Sequence, residues 1–395
     1  MDMWKKVGFI LVIFMSCKKP YNPPIVASNT NYLVVEGVVN SGADSTIIKL
    51  SRTINISQTV NVAAELHAQV SVESDQNASY PLQENGGGNY VSAGLNLDNS
   101  RKYRLDIKTA NGKLYQSDFV AVVNSPAIDS INFQVEANGV NIYANTHDPK
   151  NNTRYYRWDY QETWVIRSNF TSYFKSNGDT VLGRDLSTDD ISVCWQNHTS
   201  STIILGSSAK LSNDVIFNNP ITFIGSTSER IGSKYSILVK QYALTGDAFA
   251  FWQNLKKTSE QLGSIFDAEP SQISGNIHSV SNPSEPVIGY ISVGSVSSQR
   301  LFIANQQLPA WLPTNPYPEC KLDTFLYVYY SPGSKTPVNQ VNESLNYLIG
   351  HDPDPSIPVL AIGRPGSPPI GYTGSSPMCV DCTLRGSNKK PAFWK

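Results

Sequence analysis

From Tyr32 onward the chain alternates apolar and polar residues with a period of two, and turn-forming residues interrupt the pattern about every ten positions. That period admits a half-buried β-strand and excludes an amphipathic helix. Lys102 to Thr109 turns Tyr103, Leu105 and Ile107 to one side. Asn111-Gly112 follows, and Lys113 to Val120 alternates again, which predicts a tight hairpin. Tyr32 to Val39, Thr46 to Leu50 and Leu66 to Glu73 (Leu66, Ala68, Val70 and Val72 on one face) complete a small immunoglobulin-like β-sandwich over residues 32–124. Leu97 followed by Tyr103 fits the tyrosine-corner spacing of such sandwiches.

Pro126 marks a boundary, and residues 125–395 read as a larger β-rich domain. It opens with a second Asn-Gly hairpin at Asn138-Gly139. Tyr155 to Ile166 then places Tyr156, Trp158, Tyr160, Glu162 and Trp164 on one face. Such a stripe suits a sheet core or, if open, the binding of a glycan or peptide. One amphipathic helix is expected near 246–262, capped by Thr245, with Phe249, Trp252, Leu255, Ser259 and Leu262 toward a sheet and Lys256 and Lys257 pointing away. From Ser331 the chain is rich in proline and glycine and predicts a coil with sparse regular structure. The fold class is thus mainly β.

At the amino end, Lys5 and Lys6 precede an apolar run from Val7 to Met15, and Ser16 stands directly before Cys17. About nine apolar residues are too few to span a bilayer, which takes roughly 20. Residues 1–16 therefore read as a signal peptide, and Ser16-Cys17 resembles a bacterial lipobox, although Phe14 and Met15 depart from its usual residues. Residues 17–31, with Pro20, Pro23 and Pro24, read as a lipidated tether. The expected partner is a membrane, held through lipid on Cys17.

With Cys17 lipidated, Cys194, Cys320, Cys379 and Cys382 remain, an even set that allows two disulfides in any of three pairings. Cross-links to Cys194 and Cys320 would pin the loop-rich tail to the body. A formal charge of −1 from 31 basic and 32 acidic side chains argues against nucleic acid as a partner. No zinc-helix, phosphate-loop or nucleophile-elbow motif occurs, the five histidines lack ligand spacing, and no cofactor is expected. His147-Asp148-Pro149 and His351-Asp352-Pro353 read as turns, and Glu162 is the single carboxylate whose setting suggests perturbation.

Several stretches together carry a resemblance: Tyr32-Leu-Val-Val-Glu-Gly, Asn145-Thr-His-Asp-Pro149, Tyr155 to Trp164, Ser236 to Thr245, Gly275-Asn-Ile-His278, Pro286-Val-Ile-Gly-Tyr-Ile291 and Cys379-Val-Asp-Cys382. They resemble the Bacteroidota outer-membrane lipoproteins of domain-of-unknown-function family 4249. The resemblance implies an accessory or ligand-capture subunit beside a TonB-dependent receptor, noncatalytic, anchored in the outer membrane, and brings no catalytic residues. Lys18 and Lys19 replace the acidic residues that often follow the cysteine in surface-exported lipoproteins, which leaves open the surface or the periplasmic face. The alternative is a surface hydrolase or glycan-binding protein acting through strand 155–166.

Overall fold

A computed structural model describes residues 31–54, 63–260, 275–351 and 353–395. The signal peptide, Cys17, the tether as far as Thr30, and Leu262 lie outside the described residues.

The first sandwich is built from β1 (Leu33–Asn40), β2 (Thr46–Arg52), β3 (Ala63–Ala64), β4 (Gln69–Ser74), β5 (Ser79–Glu84), β6 (Asn89–Ser92), β7 (Lys102–Lys108), β8 (Leu114–Ser117) and β9 (Val120–Ala121). One continuous sheet makes both layers. Its fold-over strand is β5, whose residues 79–82 pair with β4 while Gln83 and Glu84 pair with β6. Ile48, Leu50, Val72, Tyr90, Leu105 and Ile107 fill the space between the layers and are fully buried, each stabilising by about 1.5–3 kcal/mol relative to exposure. Asn111-Gly112 turns β7 into β8, with the Thr109 N–H donating to the Lys113 carbonyl at 3.0 Å. The tyrosine corner is present: the Tyr103 hydroxyl donates to the Asp98 carbonyl at 3.2 Å, beside buried Leu97. Leu66 departs from its expected face and is exposed, because the strand begins only at Gln69, after His67 in the left-handed region (φ 58°).

The second sandwich packs a three-stranded sheet, β10 (Ile128–Glu136), β11 (Gly139–His147) and β17 (Val215–Gly225), against a larger one. The latter has β12 (Tyr155–Arg167) and β18 (Lys234–Leu244) at its centre, flanked by β15 (Val193–Thr199), β16 (Ile204–Ser207) and β22 (Val296–Ala304). The short hairpin β13 (Phe174–Ser176) and β14 (Val181–Gly183) branches off between β12 and β15. Helix α1 (Gly246–Glu260) covers the outer face of the larger sheet. Thr245 caps it, its Oγ1 accepting from the Ala248 N–H at 3.2 Å.

The buried side chains of α1 are Ala248 and Phe251, with Phe249, Trp252 and Leu255 half-buried beside them. The guanidinium of Arg157 on β12 lies between the rings of Trp252 and Tyr242, 4.5 and 4.4 Å from their centroids. Lys256 does not point away as expected. It donates to the Ile203 carbonyl at 2.7 Å, and Glu260 accepts the Ile203 N–H at 2.6 Å. Just outside the strand that starts at Ile204, these backbone groups need partners, and one turn of helix supplies both.

Residues 275–294 return to the first sandwich, which therefore does not end at residue 124. β19 (Ile277–Ser279) pairs with β8, while β20 (Val287–Ile288) and β21 (Val293–Gly294) run parallel to β1. Ile277, Val287, Ile291 and Val293 join its core. The side-chain amide of Asn276 brackets Ile291, donating to its carbonyl at 3.0 Å and accepting its N–H at 2.8 Å. Gly289 is required where this segment meets β1: its φ is 141°, and a Cβ there would stand 2.2 Å from the Val35 carbonyl oxygen.

The tail carries more regular structure than its proline content suggests. β27 (Gly371–Ser375) lies between β23 (Asp323–Leu326) and β26 (Ile357–Ile362); a hairpin of β24 (Val328–Tyr330) and β25 (Pro337–Asn339) leads into α2 (Val341–Ile349), and α3 (Pro377–Val380) follows β27. Three α-helices thus stand among the described residues where one was expected. Leu348 of α2, Tyr372 of β27 and Val181 of β14 form a separate small core.

Candidate functional site

The aromatic stripe of β12 faces the core. Tyr156 and Trp158 are fully buried, and Tyr160 and Trp164 are less than a tenth exposed. The Trp158 indole N–H donates to Gln241 Oε1 at 3.0 Å, and the Gln241 amide donates to the Pro126 carbonyl and Thr146 Oγ1, each at 3.0 Å. The Tyr156 hydroxyl donates to Asp214, which also accepts from Ser208. The stripe therefore presents no open binding face: its rings pack with Ile142, Ala144 and Ile221 of the opposing sheet, and the polar tips of Tyr156, Trp158 and Tyr160 are consumed internally, whereas the buried Trp164 indole N–H has no hydrogen-bond partner among the described residues.

Glu162, in the same stripe, organises a buried polar cluster. Its side chain is fully buried. It accepts from the Tyr235 hydroxyl at 2.7 Å and from Arg230 Nη1 at 3.2 and 3.1 Å, while His198 Nδ1 lies 3.0 Å from Oε2. Register explains two of these contacts: His198 stands opposite Glu162 in the β12–β15 ladder, and Tyr235 stands opposite Trp164, one step along on the other neighbour. The 3-10 turn Glu229–Ile231 delivers Arg230, whose guanidinium lies 5.4 Å from the Trp164 ring centroid. Burial, then the Glu162 carboxylate, pushes the Tyr235 phenol well above its ordinary range, so it stays a donor. His198 and Arg230 reach solvent, with side chains 45% and 35% exposed. Only Glu162 of this group stood out in the sequence, because the other three are brought together by strand register and a turn.

A second feature lies where the sandwiches join. Residues 122–127, Asp129, His147 to Lys150, Asn152 and Thr153 line an open groove of about 700 Å³. There His147 Nδ1 approaches Asp129 Oδ2 to 2.8 Å, and the hydrogen bond raises the imidazole above its usual value. Asp148 accepts from the N–H groups of Lys150, Asn152 and Thr153, which makes it a turn residue.

The four cysteines pair as Cys194–Cys382 and Cys320–Cys379. The first bond joins β15 to the turn after α3; the second closes the C-terminal module on itself. The tail's end is seated as well, because Trp394 is buried edge-on against Trp195 and Phe302, at 6.3 and 5.6 Å between ring centroids.

The architecture is that of a mainly β-protein with two sandwiches and a disulfide-pinned C-terminal module. The chain belongs to the family described as Domain of unknown function (DUF4249), whose model matches residues 18–300. No curated protein matches the sequence. Among solved structures, chitinase ChiA74 from Bacillus thuringiensis is matched at 15% identity over 52% of this chain and 29% of that one, with a TM-score of 0.15, which carries no argument. The chain spans less than a third of that enzyme's length.

Proposed function

We propose that this chain is a lipid-anchored, noncatalytic accessory or ligand-capture subunit of a TonB-dependent uptake system in the outer membrane of a Bacteroidota cell. The observation that carries the reading is the amino-terminal pattern: lysines, a short apolar run, Ser16-Cys17, then a proline-bearing tether. An acylated Cys17 would hold the body at a membrane while leaving it in water. The hairpin β24–β25 supports a docking role, since every residue of both strands is exposed, Val328, Tyr329, Tyr330 and Val338 among them. A two-stranded hairpin on its own is marginal in water and gains most from a partner. The partner to which this reading commits it is the transporter.

The test is affinity purification of the full-length protein from solubilised envelopes, followed by mass spectrometry. A TonB-dependent receptor is expected to co-purify and to be lost with Tyr329→Ala/Tyr330→Ala. Repeated recovery of the lipoprotein alone overturns the role. Cys17→Ser should leave the protein unlipidated and released from membranes.

A surface hydrolase is the second reading, favoured by His198, an exposed imidazole aligned by a buried carboxylate. Glu162 would then act through His198 and never touch substrate. Unchanged hydrolysis of a glycan and peptide panel by Glu162→Gln removes it.

A further inference from the structure

The second sandwich also has an outward-facing sheet surface, on the far side of β10, β11 and β17. Ile142 and Ala144 of β11 point into the core, so alternation turns Asn141 and Tyr143 outward. The ladders place Gln134 and Phe223 on either side of Asn141, and Asn132 and Pro220 on either side of Tyr143. Two rows result, amide–amide–phenyl and amide–phenol–pyrrolidine. With strands about 4.8 Å apart and outward residues about 6.6 Å apart along each strand, they cover a patch of roughly 10 by 7 Å between Cα positions.

Two rings on β17 are laid open to solvent. Phe223 is 46% exposed, and its ring lies across Gly139, where a Cβ would stand 2.5 Å from Cζ. The glycine lets the phenyl settle on the sheet with its other face outward. Phe217 is 77% exposed beside a bulge at Asn218, which has φ 50° and donates its N–H to Asn145 Oδ1 at 2.7 Å. A bulge re-aims the side chain next to it. Ladder positions 141 to 147 of β11 carry this surface some 20 Å along the sheet, at about 3.3 Å per residue.

The surface is nearly free of charge. β10, β11 and β17 contain no lysine or arginine. Their ionisable carboxylates and imidazole stand at the ends and are engaged: Asp129 with His147 at 2.8 Å, and Glu136 as acceptor from the Asn141 amide at 2.6 Å. A charged ligand would find no counter-charge along the centre. A peptide adding as a strand would join the outer edge of β10 or β17 and not this face, because the β11 backbone is already bonded on both edges.

We propose that the outer face of β10, β11 and β17 binds a neutral oligosaccharide. Pyranose C–H faces stack on Phe223 and Phe217, while Asn132 and Gln134, whose amides both donate and accept, pair with hydroxyl groups. This deepens the ligand-capture reading and rests on it for its biological setting. It moves the saccharide from the buried stripe of β12 to the opposite sheet.

The experiment is titration calorimetry of full-length protein in detergent with neutral tetra- to hexasaccharides: β-1,4-glucan, α-1,4-glucan, β-1,4-linked N-acetylglucosamine and α-mannan, with oligogalacturonate as the acidic control. At least one neutral sugar should bind and the acidic control should not. Phe223→Ala should weaken binding about tenfold, Phe223→Trp should preserve it, and both should melt with the parent. No saturation by any neutral sugar at millimolar concentration overturns the proposal, as does binding unchanged in Phe223→Ala with Gln134→Ala. The same variants serve as bait for receptor recovery: receptor without sugar sinks this site alone, and sugar without receptor sinks the uptake role alone.

Discussion

Glu162 and His198 stand directly opposite each other on β12 and β15, with His198 Nδ1 3.0 Å from Glu162 Oε2; one side chain is fully buried and the other is 45% exposed. The two ends of this contact therefore contribute unequally. Glu162→Ala strands the Tyr235 hydroxyl and removes the partner of Arg230, and should lower stability by about 3 kcal/mol. His198→Ala leaves Glu162 held by Tyr235 and Arg230 and should cost less, about 1 kcal/mol, as the loss of one hydrogen bond does. Urea unfolding of both variants measures this, and equal losses would show that the carboxylate is solvated.

Glu285 ties the returning segment to the first sandwich. It accepts from Lys113 Nζ and from the Tyr115 hydroxyl, each at 2.7 Å, with Arg52 Nη1 at 3.7 Å. Burial pushes its carboxyl up, but these hydrogen bonds and positive charges outweigh burial and hold it below its ordinary value. A depressed carboxyl stabilises the fold above its unfolded value, about 4.3, and that contribution is lost as pH falls through the folded one. Glu285→Gln should thus cost about 2 kcal/mol at pH 7, and the gap to the parent should narrow progressively below about pH 4. A gap independent of pH would refute the linkage.

The two disulfides close loops of different length, 188 and 59 residues apart in sequence. On the chain-entropy account their removal should cost about 5 and about 4 kcal/mol respectively. Cys194→Ser/Cys382→Ser should therefore melt lower than Cys320→Ser/Cys379→Ser in calorimetry. The reverse order would mean that contacts within the C-terminal module outweigh loop closure.

Tyr103→Phe removes the hydroxyl that donates to the Asp98 carbonyl and keeps the buried ring. A loss of about 1 kcal/mol is expected, without change in the denaturant slope. A silent substitution would mean that water satisfies Asp98 equally well.

What could be read from the sequence was local. The hairpins at Asn111-Gly112 and Asn138-Gly139, the Thr245 cap and the Tyr103 corner each draw on residues a few positions apart, and each stands in the fold. The return of Ile277 to Val293 was not legible, because its strands are two or three residues long and two of them pair in parallel with β1, far away in sequence. The structured tail was hidden for a similar reason: α2 and β27 rest on one another through Leu348 and Tyr372, across a proline-rich stretch. At the candidate site, Glu162 was visible, whereas His198, Arg230 and Tyr235 become its neighbours only through register. Phe217 and Phe223 passed unnoticed because alternation along β17 is broken by two bulges.

The return of residues 275–294 to β1 and β8 has a consequence for how such a chain is made. A polypeptide that emerges amino end first presents β1 and β8 long before the strands that close their edges. Until about three hundred residues are out, those edges stay bare and open to pairing with another chain. The first module to appear thus stays unfinished while most of the second is being made. A fragment cut at residue 124 should aggregate more readily than one that also carries residues 125–304.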